Sequence, residues 1–208
     1  MPKRVLIFGS DGMLGSEFMR RMKKDPRYLV FGCGRKCADI TRLASVAAVI
    51  RKRRPDVIIN CAAKINVDRC EAEPLEAWLV NAIGPGNIIH ALAKLGLSNA
   101  LFVHISTSDV FGEGRKKFWS VDDSPHPVNV YGWSKLGGEK ITAAEARMAR
   151  MKYFIVRTAW LYSRSKNTFI DTVADSIIRR KAINIASDQF NLPTEINNLV
   201  SGVMFLMD

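Results

Sequence analysis

Short apolar runs alternate with amphipathic stretches from the first residues of the chain to about residue 157. Arg4–Phe8, Tyr28–Cys33, Val57–Asn60, Leu101–Ile105 and Tyr153–Arg157 read as strands. Between them, Met13–Lys24, Ser45–Arg53, Pro74–Leu95 (closed by Gly96) and Tyr131–Arg150 carry helical periodicity. The strand runs are apolar throughout rather than on every second residue, which suits strands covered on both faces. The expected class is therefore α/β, a doubly wound parallel sheet. With 208 residues, 48% of them hydrophobic, the chain can bury one substantial core and a small second lobe.

In such sheets ligands sit beyond the carboxyl ends of the strands. The first strand ends in GSDGMLG, with Gly9, Gly12 and Gly15 opening a helix. Glycines there permit a tight turn and a close backbone approach to a pyrophosphate, while the helix start offers N–H groups and partial positive charge. This is the Rossmann pattern, and it makes Gly9, Asp11, Gly12, Met13, Leu14 and Gly15 candidate cofactor contacts. The second strand ends in GCGRK. A carboxylate at that place suits NAD and an arginine suits a 2′-phosphate. Arg35 and Lys36 stand there and the first acid is Asp39, followed by Ile40, so NADPH is the expected cofactor, with NADH open. Residues 1–160 are read as the NAD(P)-binding domain and 161–208 as an incomplete C-terminal substrate-binding segment.

Farther along, VYGWSKLGGEK places Tyr131 one helical turn before Lys135. A phenol with its ordinary pKa near 10 is a weak acid or base at neutral pH, and a neighbouring ammonium is expected to lower it. At the end of the Leu101–Ile105 run, HISTSDVFG brings Ser106, Thr107, Ser108 and Asp109 to the same rim.

The net charge of +11 collects in clusters at Arg20–Lys24, Arg51–Arg54, Arg115–Lys117 and Arg179–Lys181. Solvated helix faces and loop ends account for such clusters, and attraction of phosphate-bearing ligands is the sharper alternative. No helix-turn-helix, zinc finger or aromatic-interleaved basic strand accompanies them, so nucleic acid is not an expected partner. Cys33, Cys37, Cys61 and Cys70 form no CxxC unit, which favours reduced thiols over zinc ligands or structural disulfides. No metal is expected. The opening MPKRVLIFGSDG is unlike a signal peptide and no run is long enough to span a bilayer, so a soluble, cytoplasmic protein without a membrane partner is expected.

Taken together, the glycine turn, the Ser-Thr after the fourth strand and YGWSKLGGEK resemble an extended short-chain dehydrogenase/reductase. NCAAKINVDRCEAEP, VNAIGPGNI, RTAWLY, NTFI and DQFNLPT narrow the resemblance to the dTDP-4-dehydrorhamnose reductase family, from the first strand to about residue 200. The resemblance implies reduction of the C4 ketone of a dTDP-linked 6-deoxy-hexulose by NADPH. Tyr131 would donate the proton, Thr107 would orient the same oxygen, Lys135 would bind the nicotinamide ribose and tune Tyr131, and Asn81 would support the lysine through water. Cys61, Ala62, Ala63 and Lys64 would line the cofactor cleft. Ser108, Asp109, Val110, Trp160, Asn167, Asp188, Gln189 and Thr194 would face the substrate, although Trp160 also reads as a buried structural residue and the polar residues as loop formers.

The chain departs from the family's usual Ser-Thr-Asp-Tyr-Val-Phe by carrying Ser106-Thr107-Ser108-Asp109-Val110-Phe111. That form resembles nucleotide-sugar epimerases and dehydratases, but dehydration needs an acid where Ser108 stands. Lys64, Ile65 and Asn191 are further departures. The family also continues past NNLVSGVMFLMD, so the substrate lobe is expected to be incomplete. Three readings follow: a nucleotide-sugar reductase, an epimerase or epimerase-reductase of the same fold, and a non-catalytic NADP-binding regulatory subunit. The expected small-molecule partner is a nucleotide sugar, and a homodimer is left open.

Overall fold

The computed structural model describes residues 1–112, 118–163, 168–184 and 192–207. Strands β1 (Lys3–Phe8), β2 (Tyr28–Cys33), β3 (Val57–Asn60), β4 (Leu101–Thr107) and β5 (Tyr153–Thr158) form one sheet in the order β2-β1-β3-β4-β5. All four pairings are parallel, as the apolar strand runs require. Reversal of strand order at β1 opens a crevice between the ends of β1 and β3, where a dinucleotide is held in folds of this kind.

Helices cover both faces. On one side α2 (Leu43–Arg53), α5 (Gly84–Lys94) and α6 (Val130–Met148) bury Leu6, Phe8, Ile58 and Phe102 against Val46, Ile50, Ile88, Ile89 and Leu92. On the other, α1 (Met13–Met22) and α8 (Ile196–Met207) enclose Val5, Ile7, Ile59 and Val103 with Phe18, Met22, Val200 and Val203. Helix α8, grouped in the sequence with the C-terminal segment, thus packs on the five-stranded sheet. Lys3 Nζ donates to the Met207 carbonyl at 2.6 Å, and Arg21 donates to the Asn197 carbonyl at 2.9 Å, tying α8 to β1 and α1. Between β5 and α8 lie α7 (Phe169–Ile178) and a two-stranded parallel pair, β6 (Leu161–Tyr162) with β7 (Thr194–Glu195).

The basic clusters within the described residues fall at helix ends: Arg20 and Arg21 close α1, and Arg51, Lys52 and Arg53 close α2. Cations there complement the helix dipole, and Arg53 also lies 4.6 Å over the Phe31 ring, so much of the positive charge has a local role. Among the described residues no helix is long and apolar enough to cross a membrane.

The stretch expected as one helix from Pro74 to Leu95 is interrupted. It runs as α4 (Pro74–Trp78), a π turn over Leu79–Ile83, and α5, with α3 (Val67–Ala72) preceding it. Pro85 gives the reason. It has no N–H to return to the carbonyl of Asn81, and its ring crowds that carbonyl. The bond pattern widens there, Gly84 N–H reaching the Leu79 carbonyl five residues back. The released Asn81 carbonyl faces α6, where a Cβ on Gly138 would come within 2.2 Å of it.

Candidate functional site

The cradle at the end of β1 is built from backbone. Gly9 has φ +73°, which favours glycine, and a Cβ there would lie 2.6 Å from the Ala62 nitrogen. A Cβ on Gly15 would come 2.2 Å from the Gly9 carbonyl oxygen. The loop after β1, the start of α1 and the residues after β3 therefore meet with no room for side chains. Gly12 caps α1 without a side-chain hydrogen bond, leaving the first N–H groups of the helix for an anion. Met13 is half-buried beside Leu14, which belongs to the core. A dinucleotide pyrophosphate fits this cradle on steric and electrostatic grounds.

Around it, Asp11 is exposed at the lip, its carboxylate over Gly34, where an added Cβ would lie 1.8 Å from it. Arg35 stands beyond β2 with its side chain 86% exposed, 3.5 Å from a Glu76 carboxylate oxygen. Such an exposed pair is weak and leaves the guanidinium able to turn toward a phosphate. Asp39 is engaged within its own turn, Oδ1 accepting from the Thr41 backbone at 3.0 Å and hydroxyl at 2.8 Å, and these bonds hold its carboxyl below the usual range. Ile40 is buried against Gly84.

Cys61 follows β3, and burial pushes its thiol up to about 12. Ala62 and Ala63 are half-buried beside it. Lys64 reaches away from this edge to ion-pair with Glu73 and Glu76. Its backbone is clasped by Asn81: Lys64 N–H donates to Oδ1 at 2.8 Å, and Nδ2 donates to the Lys64 carbonyl at 2.9 Å. Nδ2 also donates to Ser134 Oγ at 2.9 Å. The π turn aims this buried amide inward, so Asn81 joins the loop after β3 to α6 directly. Its direct partners are Lys64 and Ser134, and support of Lys135 through water is a proposal.

Asn129 caps helix α6, its side chain accepting from Gly132 N–H at 2.7 Å, and this cap fixes where Tyr131 enters the cleft. Tyr131 hydrogen-bonds to Thr107 at the end of β4. Thr107 Oγ1 in turn donates to Asp109 Oδ1 at 3.1 Å. Asp109 thus sits next to the pair, with Ser108 3.4 Å from the same carboxylate oxygen and Val110 buried behind. Burial and the Asp109 charge push the phenol well above its usual range, against the smaller opposing effect of the Thr107 bond. The expected lowering by Lys135 is absent because the Lys135 ammonium points elsewhere, donating to the Ile105 carbonyl at 2.6 Å.

Lys135 is buried, and desolvation brings its pKa down to about 8 against the opposing charge of Glu139. Between about pH 8 and the unfolded lysine value near 10.4, the unfolded chain binds more protons at this site than the folded one. Stability attributable to Lys135 therefore rises with pH in that window. Relative to Lys135→Met, the wild-type protein should gain stability by up to about 1.4 kcal/mol per pH unit there, and nothing below it. Denaturant midpoints of both proteins across that range measure this, and parallel curves would contradict it.

Glu139, one turn past Lys135, escaped the sequence reading. It is buried and accepts from Ser106 Oγ at 2.6 Å and from Arg157 at 3.0 and 2.7 Å. Ser106 therefore faces the sheet's interior network rather than the cleft. The signal was present in the helical spacing, but an acid in a helix reads by default as a solvated residue.

Trp160 lies just past β5 with φ +29°, a rare conformation for a residue with a Cβ. It is 38% exposed, which removes the reading of a buried structural residue. Its carbonyl accepts from Thr194 N–H at 3.2 Å, so Thr194 contributes backbone here. Asn167, Asp188 and Gln189, with the departure at Asn191, lie outside the described residues.

Comparison with known proteins matches this architecture. Residues 3–208 fit the model of the RmlD substrate binding domain. The dTDP-4-dehydrorhamnose reductase of Mycolicibacterium smegmatis is 35% identical across 100% of this chain and 61% of its own length. That of Salmonella typhimurium is 35% identical over 91% of this chain and 62% of its own. A crystal structure of the Bacillus anthracis dTDP-4-dehydrorhamnose reductase in complex with NADP superposes with a TM-score of 0.89 at 35% identity, covering 99% of this chain and 71% of that one. The chain thus spans about 61–62% of the length of these two curated relatives. With the parallel sheet and its glycine cradle, the match of residues 3–208 places this chain in the RmlD substrate binding domain family, that of the dTDP-4-dehydrorhamnose reductases.

Proposed function

We propose that this chain binds NADPH and supports reduction of the C4 ketone of a dTDP-linked 6-deoxy-hexulose. The observation that carries the reading is the hydrogen-bonded Thr107–Tyr131 pair, one helical turn from buried Lys135 and at the carboxyl rim of the sheet that holds the glycine cradle. The nicotinamide, when bound, supplies hydride to the carbonyl carbon. Tyr131 Oη gives its proton to the carbonyl oxygen as that oxygen becomes an alkoxide. The raised phenol suits this role, since it stays protonated at neutral pH and releases its proton only to a stronger base. Thr107 Oγ1 orients the same oxygen, and Lys135 fixes the ribose beside it. Gly9, Gly12 and the α1 N-terminus hold the pyrophosphate, while Arg35 and Lys36 meet a 2′-phosphate.

NADPH oxidation by the 208-residue chain, followed with dTDP-4-dehydrorhamnose and product analysis, tests the reading. Stoichiometric oxidation with a reduced sugar supports it, and NADPH binding without oxidation rejects it. Arg35→Ala should weaken NADPH several-fold and leave NADH nearly unchanged, and equal losses would remove the 2′-phosphate assignment. Asp109, hydrogen-bonded to Thr107, favours epimerisation as the second reading. An epimerase would change the sugar with no net loss of NADPH.

A further inference from the structure

Cys33 ends β2 and Cys37 closes the turn that follows it. Cys33 is 1% exposed and Cys37 is exposed, yet their sulfurs lie 2.7 Å apart, the Cys33 S–H donating toward Cys37 Sγ. A disulfide bond of about 2.0 Å requires the sulfurs to close by only roughly 0.7 Å from that 2.7 Å separation. The backbone already brings the two residues together: Cys37 N–H and Ala38 N–H both donate to the Gly34 carbonyl, at 2.9 and 3.1 Å. The turn is anchored to the cofactor cradle, because Gly9 N–H donates to the Cys33 carbonyl at 2.9 Å. Arg35 and Lys36 project from between the two cysteines and are exposed.

We propose that Cys33 and Cys37 form a modification site, a dithiol that a hydroperoxide converts reversibly to a disulfide. Exposure makes Cys37 the attacking sulfur. Its thiolate displaces water from hydrogen peroxide to give a sulfenic acid, and the Cys33 thiol then attacks that sulfur and releases a second water. Two thiols lose two hydrogens and two electrons, and one peroxide becomes two waters. Burial, reinforced by the bond to Cys37, raises the Cys33 thiol, which suits a resolving partner rather than a first nucleophile. The remaining cysteines stand elsewhere, Cys61 after β3 and buried Cys70 in α3 with its sulfur toward the Lys64 carbonyl at 3.6 Å, so the modification is selective.

Closure would tie Arg35 and Lys36 into a small covalent ring and hold Arg35 in the arrangement that faces Glu76. This second effect rests on the proposed 2′-phosphate role of Arg35, whereas formation of the disulfide does not.

Peroxide treatment of the full chain, then alkylation and tryptic mass analysis, tests both parts. The expected result is a linked pair of peptides, residues 28–35 with 37–42, lighter by two hydrogens than the separate thiols and released by dithiothreitol. Cys61 and Cys70 should remain alkylatable. Cys33→Ser should send Cys37 on to sulfinic and sulfonic acids, because nothing resolves the sulfenic acid. Over-oxidation of Cys37 in the wild type at the rate seen in Cys33→Ser, with Cys33 still free, overturns the site. The oxidised protein should bind NADPH several-fold more weakly and NADH about as before. A disulfide that alters both cofactors equally, or neither, leaves the modification site standing and rejects its link to the 2′-phosphate.

Discussion

Tyr131→Phe is expected to lose about 10²- to 10⁴-fold in turnover with dTDP-4-dehydrorhamnose while NADPH affinity stays within a few-fold of the parent. The substitution removes one oxygen and leaves the ring that fills the cleft, so the Asn129 cap, the Thr107–Asp109 bond and the Lys135–Ile105 bond persist. What disappears is the proton donor. Because the phenol is raised rather than lowered, the parent should hold its proton across the neutral range, and the variant's deficit should not be recovered between pH 6 and 8. A loss confined to substrate affinity, with turnover intact, would reduce Tyr131 to a binding contact and reject the proton-donor role. An unchanged rate would require another acid, and Asp109, close to Thr107, would be the first to replace.

The second large effect concerns folding. Glu139→Ala is expected to cost roughly 3–5 kcal/mol, because it strands Arg157 beside the core and removes the acceptor for Ser106. The side chain of Glu139 is 4% exposed and that of Arg157 is 23% exposed, so solvent rehydrates the arginine in part and the lower end of that range is expected. The Arg157 guanidinium also lies 4.7 Å over the Phe111 ring, which links the pair to the turn after β4. Glu139→Met combined with Arg157→Met should recover most of the loss, since no charge is then left unpaired. Urea midpoints of the single and double variants measure the coupling. If the double variant loses the full sum of the single losses, the pair is not an energetic unit.

Much of the architecture could be read in the sequence because parallel strands buried on both faces announce themselves as unbroken apolar runs. Tyr28–Cys33 and Val57–Asn60 fall as expected, and β4 differs only in running on to Thr107. The glycine cradle was equally legible, since only one residue type fits backbone pressed on backbone. Side-chain direction was not legible. Helical spacing put Tyr131 and Lys135 on one face but could not tell that Lys135 would find the Ile105 carbonyl, a contact set by the depth of the β4–α6 packing. Asn81 was marked as functional, yet its clasp on Lys64 depends on the π turn, and a Pro85 inside an apolar helical run looks from sequence like a kink rather than an added residue. Arg35 was expected near a phosphate, and its pairing with Glu76 comes from α4, brought across the sheet by topology.

The π turn at Leu79–Ile83 also acts as a phase correction between two halves of one helical rod. One extra residue in the winding advances the following segment by roughly 100° relative to an uninterrupted α-helix. Upstream, the rod presents Trp78 to α6, its ring lying where a Cβ on Gly137 would approach within 2.5 Å. Downstream, it turns Ile88, Ile89 and Leu92 into the core. Without the offset, one of these two faces would rotate toward solvent while the other stayed in place. A single-residue deletion in this turn would therefore not shorten a loop but detune the rod, forcing a choice between the core and the wall of the cleft.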